Sequence, residues 1–428
     1  DPLIARSQIV LHASQQFIEG DVVHWFHRLQ DGRTGFAART YASDNLLWLA
    51  WAAVEYVEMT GDTSILDEGA PYLAAEQPLA PLPAGKHGMG FIPLRSSRTD
   101  SVYRHCVRAV NLVLKRRMGA HGLPLIGAGD WNDGLDEIGS RGKGESVWLG
   151  FFLYYILKRL IPLMEGREDA ATIRYYVHKE VQLECALQCT WRRDRYLRAI
   201  HDDGTEIGVL GSGVWEIDAL TAAWAVMSGI DPWRGRKMFD TAIATLEKGN
   251  TILLGWPPLR EDTMPYLGRS SRYPEGVREN GMYCHGVQWL VGAARILSRQ
   301  CQDKGDVEGA RKYAAASFRL WHKISPLPHV EPDEIEVYGG QPNKQAADIV
   351  TAHVPGRMGW HGYTGAAGWM FRQLLEGVYG LRLESNRMIA SSRDEAPFAL
   401  APAGVVWNRK TVREDPAAES LLRSQGLP

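Results

Sequence analysis

Residues 129–134 read Gly-Asp-Trp-Asn-Asp-Gly and residues 142–148 read Gly-Lys-Gly-Glu-Ser-Val-Trp, opening the apolar run Val147-Trp148-Leu149-Gly150-Phe151-Phe152-Leu153-Tyr154-Tyr155-Ile156-Leu157. A polar, glycine-rich loop thus hands directly over to a helix. The run stops at Lys158-Arg159, well short of the roughly 20 residues needed to cross a bilayer, and reads as a buried helix. Outward from it, helical periodicity predicts further helices near 5–18, 44–59, 100–118, 168–190, 215–229, 234–248, 284–300, 305–323 and 365–380, with this one at 145–163. Ser43-Asp44 reads as an N-cap for the helix near 44–59, and Thr60-Gly61-Asp62 as its end. Long Gly/Pro-rich connections at 74–98, 119–144, 249–283 and 326–363 are where chemistry is expected. The class is all-α with minor β-hairpins in loops, the clearest being Tyr196–Ile200, the turn His201-Asp202-Asp203-Gly204, and Thr205–Leu210. No short internal repeat is visible, and consecutive helix pairs fit an α/α toroid as well as another helical array.

The chain has 428 residues, 45% hydrophobic and 23% charged, with a net charge of −2. That balance argues against a nucleic-acid partner or an anionic membrane surface, since both need a concentrated basic face. Five cysteines, with no CxxC pair, point to free thiols in a reducing compartment. His24 and His27 are spaced for a metal but have no evident third ligand, so no metal is expected. Fifteen tryptophans stand out. Trp25, Trp131 and Trp360 lie in polar, Gly-rich surroundings suited to a carbohydrate cleft, whereas Trp48, Trp148, Trp224 and Trp289 sit among apolar residues as core residues do.

In the 129–134 loop, Asp130 and Asp133 flank Trp131 and Asn132, and Gly134 permits a sharp turn. An indole stacks on the apolar face of a pyranose, and a carboxyl shielded beside it has a raised pKa and can protonate a glycosidic oxygen. Taken alone the same letters also fit a plain surface turn with Trp131 in the core. The second segment, Gly-x-Gly-Glu-Ser-x-Trp, is more than a turn requires.

The two segments together resemble the signature of glycoside hydrolase family 94, the inverting disaccharide and oligosaccharide phosphorylases. They are similar in particular to the phosphorylase-like C-terminal region of cyclic β-1,2-glucan synthases and to β-1,2-oligoglucan phosphorylases. Further blocks agree in order: Gln16-Phe17-x-Glu19-Gly20-Asp21-Val22-x-His24-Trp25, Ser43-Asp44-Asn45-Leu46-Leu47-Trp48-Leu49, Thr60-Gly61-Asp62, Gly276-Val277-Arg278-Glu279-Asn280-Gly281 and Tyr363-Thr364-Gly365-x-Ala367-Gly368-Trp369. The resemblance implies an (α/α)₆ barrel over residues 1–382, incomplete on its N-terminal side, with a weakly ordered tail at 383–428. It implies inverting phosphorolysis of a β-linked glucooligosaccharide, β-1,2 preferred, giving α-glucose 1-phosphate. The partners are then the glucan and inorganic phosphate as co-substrate, with no other cofactor. Self-association as a homodimer, or association with the missing domains of a larger synthase, is the further expectation. The location implied is cytoplasmic, also as part of an inner-membrane synthase.

Carried over residue by residue, the resemblance makes Asp133 the catalytic acid. Trp131, Arg39, Asp44, Arg278 and Glu279 become sugar-contacting residues, and His285, Thr364 and Gly365 phosphate ligands. Independently of it, a Gly/Ala-rich helix start at 363–368 leaves backbone N–H groups for an anion, and a histidine with partial positive charge near neutral pH can donate to phosphate. Asp130 is expected to fix the loop, and Asp136 and Glu137 to face solvent. Some positions depart from the family pattern. Asn45 replaces a second aspartate, Gln341-Pro342 replaces Glu-Pro, His361 stands where an aromatic or threonine is common, and the Glu279–His285 spacing is one residue short. About 1 Å of misplacement can cost roughly 100-fold in rate, so that spacing matters. The family's Phe-Arg-Asp motif and its flanking β-domains have no recognised counterpart here. Two other readings therefore stand beside phosphorolysis. One is a non-catalytic fragment of a cyclic β-1,2-glucan synthase that binds glucan, and the other is an inverting glycoside hydrolase using Glu279 or Asp348 as its second carboxylate.

Overall fold

In a computed structural model, Ser146 caps the apolar helix by accepting the Leu149 N–H (3.0 Å), and every residue from Val147 to Leu157 is buried. The structure describes residues 1–76, 79, 88–390, 406–407 and 410–411. Its helices are α1 (Pro2–Ala13), α2 (Trp48–Thr60), α3 (Val102–Arg116), α4 (Val147–Leu160), α5 (Ala170–Gln188), α6 (Ala219–Met227), α7 (Pro232–Leu246), α8 (Cys284–Val287), α9 (Trp289–Asp303), α10 (Val307–Ile324), α11 (Ile335–Tyr338) and α12 (Thr364–Gln373). Each of the ten expected helices has its counterpart. Among the described residues, the stretch with the length and composition of a membrane span, Val147–Met164, is 72% buried inside the protein, as a core helix is.

The chain divides into two units, one of residues 1–190, 199–205 and 384–386, the other of 191–198, 206–383 and 387 onward. In the first, α1 packs on α2 and α3, α2 on α3 and α4, and α4 on α5. Strand Thr34–Arg39 pairs with Trp25–Arg28 on one side and Met89–Phe91 on the other, and Gly69–Ala74 pairs with Leu94–Ser101. In the second, α6 packs on α7 and α9, α9 on α10, and α12 on α8. Aspartates begin several helices: Asp169 accepts the Thr172 N–H, Asp218 the Thr221 N–H and Asp231 the Trp233 and Arg234 N–H groups. Such caps satisfy amides that have no partner within the helix. Asp218 also forms a 2.6 Å ion pair with Arg198, both side chains fully buried.

Two expectations about α2 change on contact with the structure. The helix near 44–59 starts later, at Trp48, after a 3₁₀ turn at Ser43–Leu46. Asp44 does not cap it, because its carboxylate accepts the Trp48 indole N–H (2.8 Å) instead of backbone amides. Gly61 ends α2 as expected, in the left-handed region at φ 71°. Of the 201–204 turn, Gly204 N–H bonds His201 C=O and His201 N–H bonds Thr205 C=O, and strand Ala199–Ile200 pairs with Glu145–Ser146. Beyond residue 383, where a tail was expected, Leu381–Glu384 and Arg387–Ala390 pair as a hairpin. Apart from 406–407 and 410–411, the rest of that expected tail lies outside the described residues.

Candidate active site

The loop at residues 129–134 is built on glycine and held by side chains. Gly129 has φ +102°, and a Cβ there would lie 2.9 Å from the Asn132 carbonyl oxygen, so the tight return of the chain needs glycine. Asp130, buried, accepts the Asn132 N–H (3.0 Å) with one oxygen and the Ser146 hydroxyl (2.6 Å) with the other. Ser146 is the α4 cap, so one hydroxyl ties the loop to the helix that follows. Asp202 closes the next stretch, its carboxylate accepting the N–H groups of Arg141, Lys143 and Gly144. Fixed in this way, the loop leaves Trp131 and Asp133 half-buried, open enough to meet a ligand and sheltered enough to act on one. Asp136 is buried, not solvent-facing, because its neighbours Leu135 and Ile138 anchor that turn in the core.

Asp44 belongs to the same cluster. Burial, with the charges of Asp130 and Asp133 adding to it, pushes its carboxyl up to about 7 against the opposing Trp48 hydrogen bond. A carboxyl that titrates near neutrality can both donate and accept a hydrogen bond to a sugar hydroxyl. Arg39, at the end of strand Thr34–Arg39, is buried and ion-paired with Asp21, which Arg117 also approaches at 3.6 Å. Asn45 donates to Thr40 Oγ1 (3.1 Å), and His24 Nδ1 is bonded to the same hydroxyl.

In the second unit the Arg278-Glu279-Asn280-Gly281 segment is a single 3₁₀ turn held from several sides. Asn280 accepts the Leu259 N–H and donates to the carbonyls of Leu259 and Tyr273. A Cβ on Gly281 would fall 2.1 Å from the Gly276 carbonyl oxygen, which excludes any other residue there. Arg278 sits at φ +52°, a conformation that costs a non-glycine residue about 1–2 kcal/mol. Its guanidinium lies over the rings of Tyr273 (4.8 Å), Tyr283 (5.3 Å) and Trp360 (4.8 Å), and 3.5 Å from the buried Glu279 carboxylate.

His285 is on α8, and the α12 N-terminus faces it. A Cβ on Gly365 would be 2.9 Å from His285 Cε1 and 3.2 Å from Nδ1, so the one-residue shortening still brings the imidazole against Gly365. Tyr363 makes no side-chain cap on α12. Gln288, fully buried one turn after His285, donates to the Ala366 carbonyl (2.9 Å) and joins α8 to the first turn of α12. Burial lowers His285 to about 4, so the imidazole is neutral at pH 7 and not the partly charged group expected from sequence.

Asp348, an expected candidate for a hydrolytic base, is spent otherwise. It is buried, and its two oxygens accept the Arg278 N–H (3.1 Å) and the Trp360 N–H (3.0 Å). Sequence reading missed the bracing roles of Ser146, Asp202, Asp348 and Gln288. Only Ser146, standing before an apolar helix, carried a local signal, as a cap.

Comparison with known proteins shows the family of the chain. A profile of the glycosyl hydrolase 94 superfamily catalytic domain matches residues 1–380. The chain is 35% identical over 395 residues to the cyclic beta-(1,2)-glucan synthase NdvB of Rhizobium meliloti, covering 91% of this chain and 13% of that protein. It is 29% identical over 351 residues to the solabiose phosphorylase of Paenibacillus borealis, covering 79% of this chain and 40% of that protein. Against the 1,2-beta-oligoglucan phosphorylase of Listeria innocua it is 21% identical over 406 residues, covering 90% of this chain and 35% of that one. The chain therefore spans less than half the length of each of these relatives. It belongs to the glycosyl hydrolase 94 superfamily and carries the (α/α)₆-barrel type of catalytic domain that defines it.

Proposed function

We propose that this chain is the catalytic module of an inverting phosphorylase acting on β-linked glucooligosaccharides, with β-1,2 linkages preferred. The single observation that supports it best is the approach of His285 to Gly365 in the uncapped first turn of α12. A helix N-terminus with a neutral imidazole and a hydroxyl beside it offers hydrogen-bond donors to an anion. Phosphate is already a nucleophile, so an anion site replaces the second carboxylate that inverting hydrolysis needs. The engagement of Asp348 by two backbone amides removes one candidate for that carboxylate.

In the proposed reaction a phosphate oxygen bonds to the anomeric carbon as the glycosidic bond breaks. The bond's electron pair goes to the leaving oxygen, which takes the Asp133 proton. The products are α-glucose 1-phosphate, inverted at the anomeric carbon, and an oligosaccharide one unit shorter. Trp131, Asp44, Arg39, Arg278 and Glu279 would hold the sugars, and Thr364, Gly365 and His285 the phosphate. The five free cysteines and the need for phosphate are in keeping with a cytoplasmic site of action, alone or within a larger synthase.

The test is α-glucose 1-phosphate release from β-1,2-glucooligosaccharides, with cellobiose as comparison, with and without phosphate. Phosphate-dependent release is expected. Sugar release without phosphate would make the chain a hydrolase, and binding without turnover a glucan-binding module. Thr364→Val is expected to raise the KM for phosphate several-fold and leave that for glucan nearly unchanged; equal changes in both would argue against a phosphate role.

A further inference from the structure

Trp360 is 54% exposed although its backbone is fastened and one side of its ring is occupied. The Arg278 guanidinium lies 4.8 Å from the ring centroid, and Tyr363 meets the indole edge-on at 6.3 Å. Exposing a large aromatic ring costs solvation free energy, and a guanidinium on one face both rigidifies it and leaves the rest of the ring to solvent. Asp348 makes the unit rigid. Through Oδ2 and Oδ1 it holds the N–H groups of Arg278 and Trp360, and its own carbonyl accepts the Gly359 N–H (2.9 Å). Asp348 is in turn paired with Tyr283, whose ring also touches Arg278. Gly359 packs so tightly on Asp348 that a Cβ would come within 2.3 Å of its carboxylate. The platform is continuous with the proposed site, since Glu279 adjoins Arg278 and Tyr363 immediately precedes Thr364.

We infer that the exposed face of Trp360 is a stacking platform for a glucosyl unit of the oligosaccharide, and that Asp348 is the positioning residue that locks it to Arg278. An indole face backed by a cation suits the apolar C–H face of a pyranose, and the flanking Glu279 and Arg278 can bond its equatorial hydroxyls. The inference rests on a glucooligosaccharide being the ligand, and not on phosphorolysis.

Calorimetric titration of the full chain with β-1,2-glucooligosaccharides in phosphate-free buffer reads the platform directly. Trp360→Ala is expected to weaken binding about tenfold, with Trp360→Phe restoring part of the loss. Because the ring is exposed, the Ala variant should keep its melting temperature. Asp348→Asn, which retains one acceptor oxygen, is expected to weaken binding less than Asp348→Ala, with KM for glucan rising more than kcat falls and KM for phosphate unmoved. Unchanged affinity in Trp360→Ala, or no oligosaccharide binding by the unaltered chain, would overturn the inference. Trp360-dependent binding without glucose 1-phosphate formation would leave the platform standing and reject the phosphorylase.

Discussion

Asp130 and Asp133 stand three residues apart and differ in what surrounds them. The first is buried and hydrogen-bonded on both oxygens, which fixes the loop, while the second is half-buried beside Trp131. Asp133→Asn is expected to lower phosphorolysis by about 10²–10⁴-fold, the usual worth of a general acid, with oligosaccharide affinity retained in calorimetry. Retained turnover would assign the acid elsewhere. Two other residues give opposite pH dependences. Asp44 is raised to about 7, so its contribution to stability is present below about pH 4 and is lost as pH rises through 7. His285 is lowered to about 4, so its contribution is complete above about pH 6.5 and is lost as pH falls toward 4. Between those limits the two slopes oppose each other. Asp44→Asn removes one of them, and denaturant unfolding at a series of pH values should then show stability rising more steeply from pH 4 to 6.5 than in the unaltered chain.

At the scale of elements, the 129–134 loop and α4 share a hydroxyl. Ser146→Ala removes the α4 cap and one Asp130 partner together, and is expected to cost about 1–2 kcal/mol of stability by denaturant unfolding while also lowering kcat. An unchanged kcat would show that the loop keeps its shape without this tie. On the α12 side, Gly365→Ala places a methyl 2.9 Å from the His285 ring and is expected to raise the KM for phosphate more than that for glucan. The helices themselves were legible from sequence, since each carries an apolar stripe and most have a capping Asp or Ser. The start of α2 was misread for a physical reason. Ser-Asp before a helix reads identically whether the carboxylate turns to backbone amides or, as here, to the Trp48 indole across the turn. Asp136 was misjudged likewise, because a charged residue in a loop gives no sign that its neighbours bury the turn.

For the whole molecule, stability rests on buried apolar helices and on a few charges enclosed with them. Arg198 and Asp218 form such a pair, with essentially no exposed side-chain surface. Asp218→Asn keeps an α6 cap but removes the carboxylate charge paired with the buried guanidinium, and is expected to cost about 3–5 kcal/mol, visible as a lower melting temperature. A loss below about 1 kcal/mol would mean that water or another group reaches Arg198.

The sequence by itself determined the helical class, the order of the helices and the family, because periodicity, caps and motif spacing are local properties of the chain. Tertiary structure alone decided that His285 reaches Gly365 despite a shortened spacing, that burial keeps its ring neutral, that Asp44 titrates near 7, and that Asp348 braces Arg278 and Trp360. Those outcomes depend on contacts between residues far apart in sequence and on the loss of solvent around them. Neither is written in any local run of residues.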